Sequence, residues 1–466
     1  MFLGLGWLVF LTFGIVGLYG PIVRYGPNRY SINDPHAAKT IYGLGAQFAK
    51  SSWYSTWGPP GRWTIFADQN VHRHAQNRRM YQNTYSMSSL ISYEPYVDEC
   101  TDLFSDRLRE LSQAGQSVDM GRWFQNYAFD VIGLITYSRR LGFLDQGEDI
   151  GGVISALENH LTYATLVGIF PWLHPICHFV QNRLLGGERG KGREYVLKFT
   201  LEQMAAFKAA PKSMPSNVEI EQSETVVESF LSKFQSKHSS EPGSFTQYHI
   251  QVGCAANMVA GSDTTAISLT AILYYLLSHP ASLEKLRKEV DSSFQDGKLS
   301  TKPTFKESQS MPYLQAVIKE ALRMHPATGL PLERVVPPGG ATIAGRFFPE
   351  GTVVGINSWV EHRNTHIFGP DAGTFRPERW LDADSDQLSL MNRHWMPFGL
   401  GSRTCIGRHI SMLEITKLVP RILRDFDFAI VEPIDSSKGI FNTHNMWFVK
   451  PSDFQVRLGL RAQSSQ

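Results

Sequence analysis

The stretch Phe398-Gly399-Leu400-Gly401-Ser402-Arg403-Thr404-Cys405-Ile406-Gly407 sets one cysteine in a glycine-rich turn. A cysteine binds metal as its thiolate, which needs hydrogen-bond donors or positive potential and a close backbone. Gly399 and Gly401 permit tight bends with amides turned inward, and Arg403 adds a permanent cation. The run from Gly407 to Arg424 predicts a helix, so a positive helix end faces Cys405. Gly407 removes a side chain where a flat group could lie against that helix. The pattern favours a metal-ligating thiolate over an inert buried cysteine.

Two further polar sets stand out. Ala260-Gly261-Ser262-Asp263-Thr264-Thr265 interrupts an apolar stretch from Thr246 to Ser278, which predicts one long helix through the core, stopped at His279-Pro280. Polar groups inside a buried helix cost free energy unless paired. Taken alone, the patch is explained by threonine bonding back to the preceding turn, with Asp263 facing solvent. Glu320 and Arg323 share one face of a helix predicted from Pro312 to Met324. Alone, such a pair is worth a few tenths of a kcal/mol.

These groups need a scaffold. Residues IVRYGPNRYSI after Gly20-Pro21 predict a hairpin, and apolar spacing predicts a helix over Tyr96–Leu111. Leu332–Val336, Ala341–Ile343 and Thr352–Ile356 predict a small sheet, and the segment Phe375–Trp380 an irregular one. Length alone suggests roughly three domains. No repeat or long linker divides the chain, so residues 21–466 are expected to form a single, mainly α domain with small β-sheets.

Composition agrees. The 42% apolar fraction, 12% aromatic, excludes a disordered, collagen-like or polytopic membrane chain. Lys+Arg 45 against Asp+Glu 43 gives +2, which argues against nucleic acid as a partner. Cys100, Cys177, Cys254 and Cys405 form no C-x-x-C pair, as in a reducing compartment. Phe2 to Tyr19 carries no charge. As a helix it spans about 27 Å against a bilayer core of about 30 Å, so residues 1–20 are expected to be an apolar helix that anchors the chain in a membrane.

Four motifs in order, A-G-x-D-T-T, E-x-x-R, F-x-P-E-R-W and F-G-x-G-x-R-x-C-x-G, make the chain resemble a cytochrome P450 from about residue 20 to its end. Residues 73–98 and 368–372 look most like fungal pisatin-demethylase-type members. The resemblance implies the P450 fold, with its long central helix over the haem, and haem b ligated axially by Cys405. His74, Arg78, Ala260, Gly261, Arg334, Phe398, Arg403 and Gly407 would bind the cofactor; of these, Arg78, Arg334, Arg403 and His74 would meet its propionates. Glu320, Arg323 and Arg379 would form a buried structural triad. Asp263 and Thr264 match an acid–alcohol pair that supplies protons while O2 is reduced. Ala260 and Gly261 would leave room for haem and substrate. Trp53, Trp57, Leu330 and Trp447 would line an apolar pocket.

The implied activity is a haem-thiolate monooxygenase that inserts one oxygen atom from O2 into a lipophilic small molecule of fungal secondary metabolism. Two alternatives are an oxygen-independent rearrangement on the same fold and a non-catalytic haem protein. Electrons from NADPH would come through NADPH–cytochrome P450 reductase, with cytochrome b5 as a second donor. Lys417, Arg421 and Arg424 recur along one helix face that such a partner could dock on, although a solvated face explains each alone. The implied location is the endoplasmic reticulum membrane, catalytic domain in the cytosol. Membrane-bound relatives carry a proline-rich hinge and another helix where Gly20-Pro21 here joins the two parts directly.

Overall fold

The structure, a computed structural model, describes residues 20–183, 192–209, 227–431 and 442–461. The apolar segment expected to be an anchor lies outside them. Among the described residues no single helix is long and apolar enough to cross a membrane.

The predicted hairpin forms: Ile22–Gly26 pairs antiparallel with Arg29–Ile32 across a turn where Asn28 takes the left-handed conformation. It opens a five-stranded sheet continued by Val353–Gly355, Arg334–Val335 and Ala49–Lys50. In its last pairing Lys50 lies opposite Arg334, bringing two cations together from segments far apart in sequence. Ala341–Ile343 leaves this sheet and pairs with Arg346–Phe348. Thr443–Met446 and Phe448–Pro451 make a separate hairpin.

A further three-stranded sheet joins Val118–Asp119, Gln455–Leu460 and Phe426–Ile430, and helices build most of the rest. The helix predicted at 96–111 runs Glu94–Ala114, with proline in its first turn and Gly115 left-handed at its end. Pro312–Met324 matches the sequence expectation residue for residue. Arg379 and Trp380, expected in irregular chain, begin a one-turn helix, Arg379–Asp382.

The long central helix is interrupted. It runs Gln247–Ala260 and Asp263–Ser278, with a two-residue turn at Gly261-Ser262. Thr264 Oγ1 donates to the Ala260 carbonyl at 2.8 Å across this turn. The second half is mainly apolar and is buried between Met120–Tyr137, Pro312–Met324 and Arg408–Asp425. The cysteine loop, the central helix and the Glu320–Arg323 helix thus meet in one core.

Candidate functional site

The cysteine loop is fixed by its own backbone. Cys405 N–H donates to the Phe398 carbonyl at 2.8 Å, and Thr404 Oγ1 donates to the same carbonyl. Phe398 is half-buried against Trp395. Gly399 and Gly401 both take positive φ. A β-carbon on Gly401 would lie 1.7 Å from the Tyr42 carbonyl oxygen, so glycine is required there. Cys405 is free, and its surface is accessible although protein surrounds it, so the sulfur lines an interior cleft. Gly407 borders the same cleft, where an added β-carbon would stand 4.0 Å from Sγ.

Burial pushes the Cys405 thiol up; the Gly407 and Arg408 amides and the charges of Arg78 and Arg408 pull it down. The expected cation, Arg403, points elsewhere. It belongs to a second cluster with Arg78, Arg334, His74 and Lys50. Burial, then Arg334 and Arg78, lowers Arg403 to about 10. Burial, then Arg403, Arg78 and Lys50, lowers His74 to about 3, so its ring is neutral and keeps one N–H to donate. Lys50 is pushed well down by burial and by Arg334, Arg403 and Arg78.

Lys50 was not visible from sequence. It sits over the Tyr54 and Phe66 rings at 4.2 and 3.9 Å and donates to the Phe66 carbonyl. Nothing in its local pattern marks it; only strand pairing sets it beside Arg334. Both terminal nitrogens of Arg403 are shielded from solvent and donate to no protein atom. Buried cations crowded together with unused donors are costly unless an anion meets them. A dicarboxylate beside a thiolate cleft, the chemistry of haem, fits this donor set.

The 260–265 patch forms a neighbouring wall. Thr265 Oγ1 lies 3.0 Å from Ser411 Oγ, which is on the helix that follows Cys405. Tyr85, which feels the Cys405 charge, donates to Asn257 Oδ1 on the central helix. Ala260 is exposed and Thr264 partly so. Two expectations are corrected. Asp263 does not face solvent: it is 2% exposed, accepts from Gln125 Nε2 and lies 2.9 Å from Lys450 Nζ. Gly261 opens no room for haem or substrate, since an added β-carbon would meet Ile132 at 3.0 Å. It allows close helix packing.

Glu320, Arg323 and Arg379 come together in full burial. Arg323 grips Glu320 through two nitrogens at 2.8 and 2.9 Å, Arg379 Nε is 3.3 Å from Glu320, and Trp380 Nε1 adds a donor at 2.9 Å. The remaining guanidinium protons go to the carbonyls of His362, Ala372 and Thr374. Such a network fixes a geometry more than it adds stability. It braces the chain leading into the cysteine loop: His362 Nε2, in the segment Arg323 holds, accepts from the Met396 amide.

Trp53, Trp57 and Trp447 pack with Tyr54 and Phe66 in an aromatic cluster, centroids 4.9 to 6.1 Å apart. Leu330, partly buried, lies against its edge. Trp447 is held at φ 74° in the hairpin turn, a conformation costly for a bulky residue. Lys417 and Arg421 stand on neither a docking face nor a solvated one. Lys417 is 1% exposed and pairs with Glu94 and Asp98, while Arg421 is 7% exposed and pairs with Asp102 and Asp425. Their helix is covered on nearly all sides, so a shared face is not a surface.

The sequence profile of the cytochrome P450 family matches residues 17–457. A cytochrome P450 monooxygenase of Aspergillus terreus is 39% identical over 416 residues, covering 88% of this chain and 83% of its own length. A pisatin demethylase of Fusarium vanettenii is 39% identical over 434 residues, 93% and 80% of the two chains. The monooxygenase gsfF of Penicillium aethiopicum is 35% identical over 454 residues, 95% and 86%. This chain belongs to the cytochrome P450 family. It is a haem monooxygenase, an oxidoreductase of the fungal secondary-metabolite kind, and haem with cysteine-thiolate ligation comes with the family.

Proposed function

We propose that the chain oxidises a lipophilic small molecule, by hydroxylation or oxidative demethylation, with Cys405 as the residue that would bind the iron of haem b. The observation that carries this reading is the pairing of the Cys405 cleft with a cluster of buried donors, Arg78, Arg334, Arg403, His74 and Lys50. A thiolate-ligated haem, when bound, supplies the activation of O2. Arg78, Arg334 and Arg403 would hold its propionates, with His74 and Lys50 as further donors.

Thr264 Oγ1, which donates to the Ala260 carbonyl, turns from that carbonyl to pass its proton into the cleft, and Asp263 restores it. The Trp53, Trp57 and Trp447 cluster with Leu330 keeps water out and sets an apolar lining for the substrate. NADPH-derived electrons come through NADPH–cytochrome P450 reductase, with cytochrome b5 as an auxiliary donor. We assign the chain to the endoplasmic reticulum membrane, catalytic part in the cytosol. Two features support this: the uncharged Phe2–Tyr19 run, and the exposed Ile169, Phe170, Trp172, Ile176 and Phe179 in one short segment.

The deciding experiment is expression with a reductase and product profiling over lipophilic aromatic substrates. A reduced carbon-monoxide band near 450 nm in the wild type, lost in Cys405→Ala while haem remains, is the expected result. An unchanged band overturns the ligand assignment. Turnover of the wild type without O2 overturns the monooxygenase reading.

A further inference from the structure

The chain enters the cysteine loop through His394-Trp395-Met396-Pro397, at the end of the helix Ser385–His394. Each of the first three residues is held by a different bond. Trp395 Nε1 donates to the Lys319 carbonyl and the Met396 amide donates to His362 Nε2, both at 2.9 Å. His394 is held by an acid: its Nδ1 donates to Glu361 Oε1 at 2.7 Å, between side chains 7% and 0% exposed. The other Glu361 oxygen, Oε2, is shut off from solvent and meets no donor. Burial pushes the Glu361 carboxyl up against the pull of His394.

Glu361 closes the one-turn helix Ser358–Glu361, and His362 follows it. That turn is itself fixed by three bonds. Asn357 Nδ2 donates to the Gly329 carbonyl at 3.1 Å, Trp359 Nε1 to the Pro326 carbonyl at 2.9 Å, and His362 Nδ1 to the Arg323 carbonyl at 3.0 Å. Consecutive side chains of the turn thus meet the ring of His394 and the amide of Met396. From Met396 the path to the sulfur is short. Gly399 N–H donates to the Met396 carbonyl at 3.0 Å, and Cys405 N–H to the Phe398 carbonyl at 2.8 Å. A displacement at His394 therefore reaches Cys405 through two backbone hydrogen bonds.

As a device for stability the pair is poor, because apolar residues of the same volume do as well as a half-satisfied buried carboxylate. What it supplies is direction. A short bond to an acid fixes the His394 ring, and with it the backbone, against a turn that is already held.

We propose that Glu361 and His394 are positioning residues for the iron-binding thiolate: their buried pair fixes the chain entering the cysteine loop, so that Cys405 Sγ stays aimed into the cleft. The proposal rests on the reading of Cys405 as the ligand. The Glu320, Arg323 and Arg379 triad reaches the same segment at Met396, through His362; the pair is a second tether two residues earlier.

The test uses the full-length haem-loaded chain as wild type, Glu361→Ala, His394→Phe, His394→Asn and Glu361→Ala/His394→Phe. Val456→Ala is the control, since Val456 is buried in the three-stranded sheet, paired with Val118 and Ile430. Urea unfolding is measured for each protein. At a urea concentration below unfolding, a second measurement follows the reduced carbon-monoxide band near 450 nm as it gives way to a shorter-wavelength band, which reports loss of the thiolate. Glu361→Ala and His394→Phe are expected to speed this conversion at least about tenfold over both wild type and Val456→Ala, the factor that a lost hydrogen bond to a charged group gives. The double variant should be no faster than the faster single one. His394→Asn places an amide N–H where Nδ1 stood, so it should stay within about twofold of wild type.

Conversion in the pair variants that only keeps pace with Val456→Ala at equal loss of stability overturns the proposal in favour of a packing role. So does a double variant whose acceleration is the product of the single ones, or His394→Asn converting as fast as His394→Phe. If Glu361→Ala takes up no haem, the contrast between His394→Phe and His394→Asn decides alone. A wild type that never shows the band near 450 nm instead overturns the reading of Cys405 itself.

Discussion

Gly401 lies so close to Tyr42 that a single added carbon would fall 1.7 Å from the Tyr42 carbonyl oxygen. The contact joins the cysteine loop to the helix Ala37–Tyr42. That helix is itself tied to the five-stranded sheet, since the Tyr42 hydroxyl donates to Leu332 O and accepts from Ile356 N–H. Gly401→Ala should therefore cost more than the roughly 1–2 kcal/mol of a left-handed alanine, adding about 1–3 kcal/mol of overpacking. Gly399→Ala is the control, because its φ is similar but its nearest foreign atom is 3.7 Å away. Urea unfolding of the two variants checks this; equal losses would mean the Tyr42 contact does not matter.

The cation cluster makes a prediction with opposite signs in two measurements. Arg403 is repelled by Arg334 and Arg78 and has idle buried nitrogens, so Arg403→Leu should leave the haem-free chain as stable or slightly more stable. The same substitution should speed haem loss to excess apomyoglobin by about tenfold or more, since a charged hydrogen bond is worth roughly 1.5–3 kcal/mol. Lys50→Met should act in the same direction. A haem-free chain that is strongly destabilised, with haem loss unchanged, would remove both residues from the propionate site.

What was legible in the sequence was local. The helix Pro312–Met324 begins at a proline and ends before Pro326, so its bounds follow from two residues that cannot propagate a helix. The cysteine loop was legible because glycines, arginine and cysteine lie within ten positions. Lys50 was not, because only the pairing of Ala49–Lys50 with Arg334–Val335 brings it to the cluster. Asp263 was misplaced for the same reason: its partners Gln125 and Lys450 are 138 and 187 positions away. The break in the central helix was missed because it falls at Gly261-Ser262 inside an apolar run, with no proline to mark it.

Lys417 tests the surface directly. Its spacing allowed a docking face or a merely solvated one, and it is buried in contact with Glu94 and Asp98. Lys417→Met leaves two carboxylates without their cation and should destabilise the fold by about 3–5 kcal/mol. The dependence of NADPH oxidation on reductase concentration should stay as in the wild type. Weaker reductase binding with undiminished stability would return Lys417 to the docking surface.

Acid should weaken the fold through its buried histidines. Burial, first among the causes, lowers His74, His160 and His362 to about 3 and His325 to about 4. Each ring is therefore neutral in the folded chain, while the unfolded chain takes up protons near pH 6.5. The unfolded state binds more protons between those values, so stability is present above pH 6.5 and is lost as pH falls toward 3. At pH 5 the loss is up to about 2 kcal/mol for each ring, the product of 1.5 pH units and 1.36 kcal/mol. His160 is the ring to replace, since it packs on Trp57. His160→Gln should lower stability at pH 7 yet flatten the fall between pH 7 and 5, measured by urea unfolding at each pH. An unchanged slope would mean that this histidine titrates as freely in the folded chain as in the unfolded one.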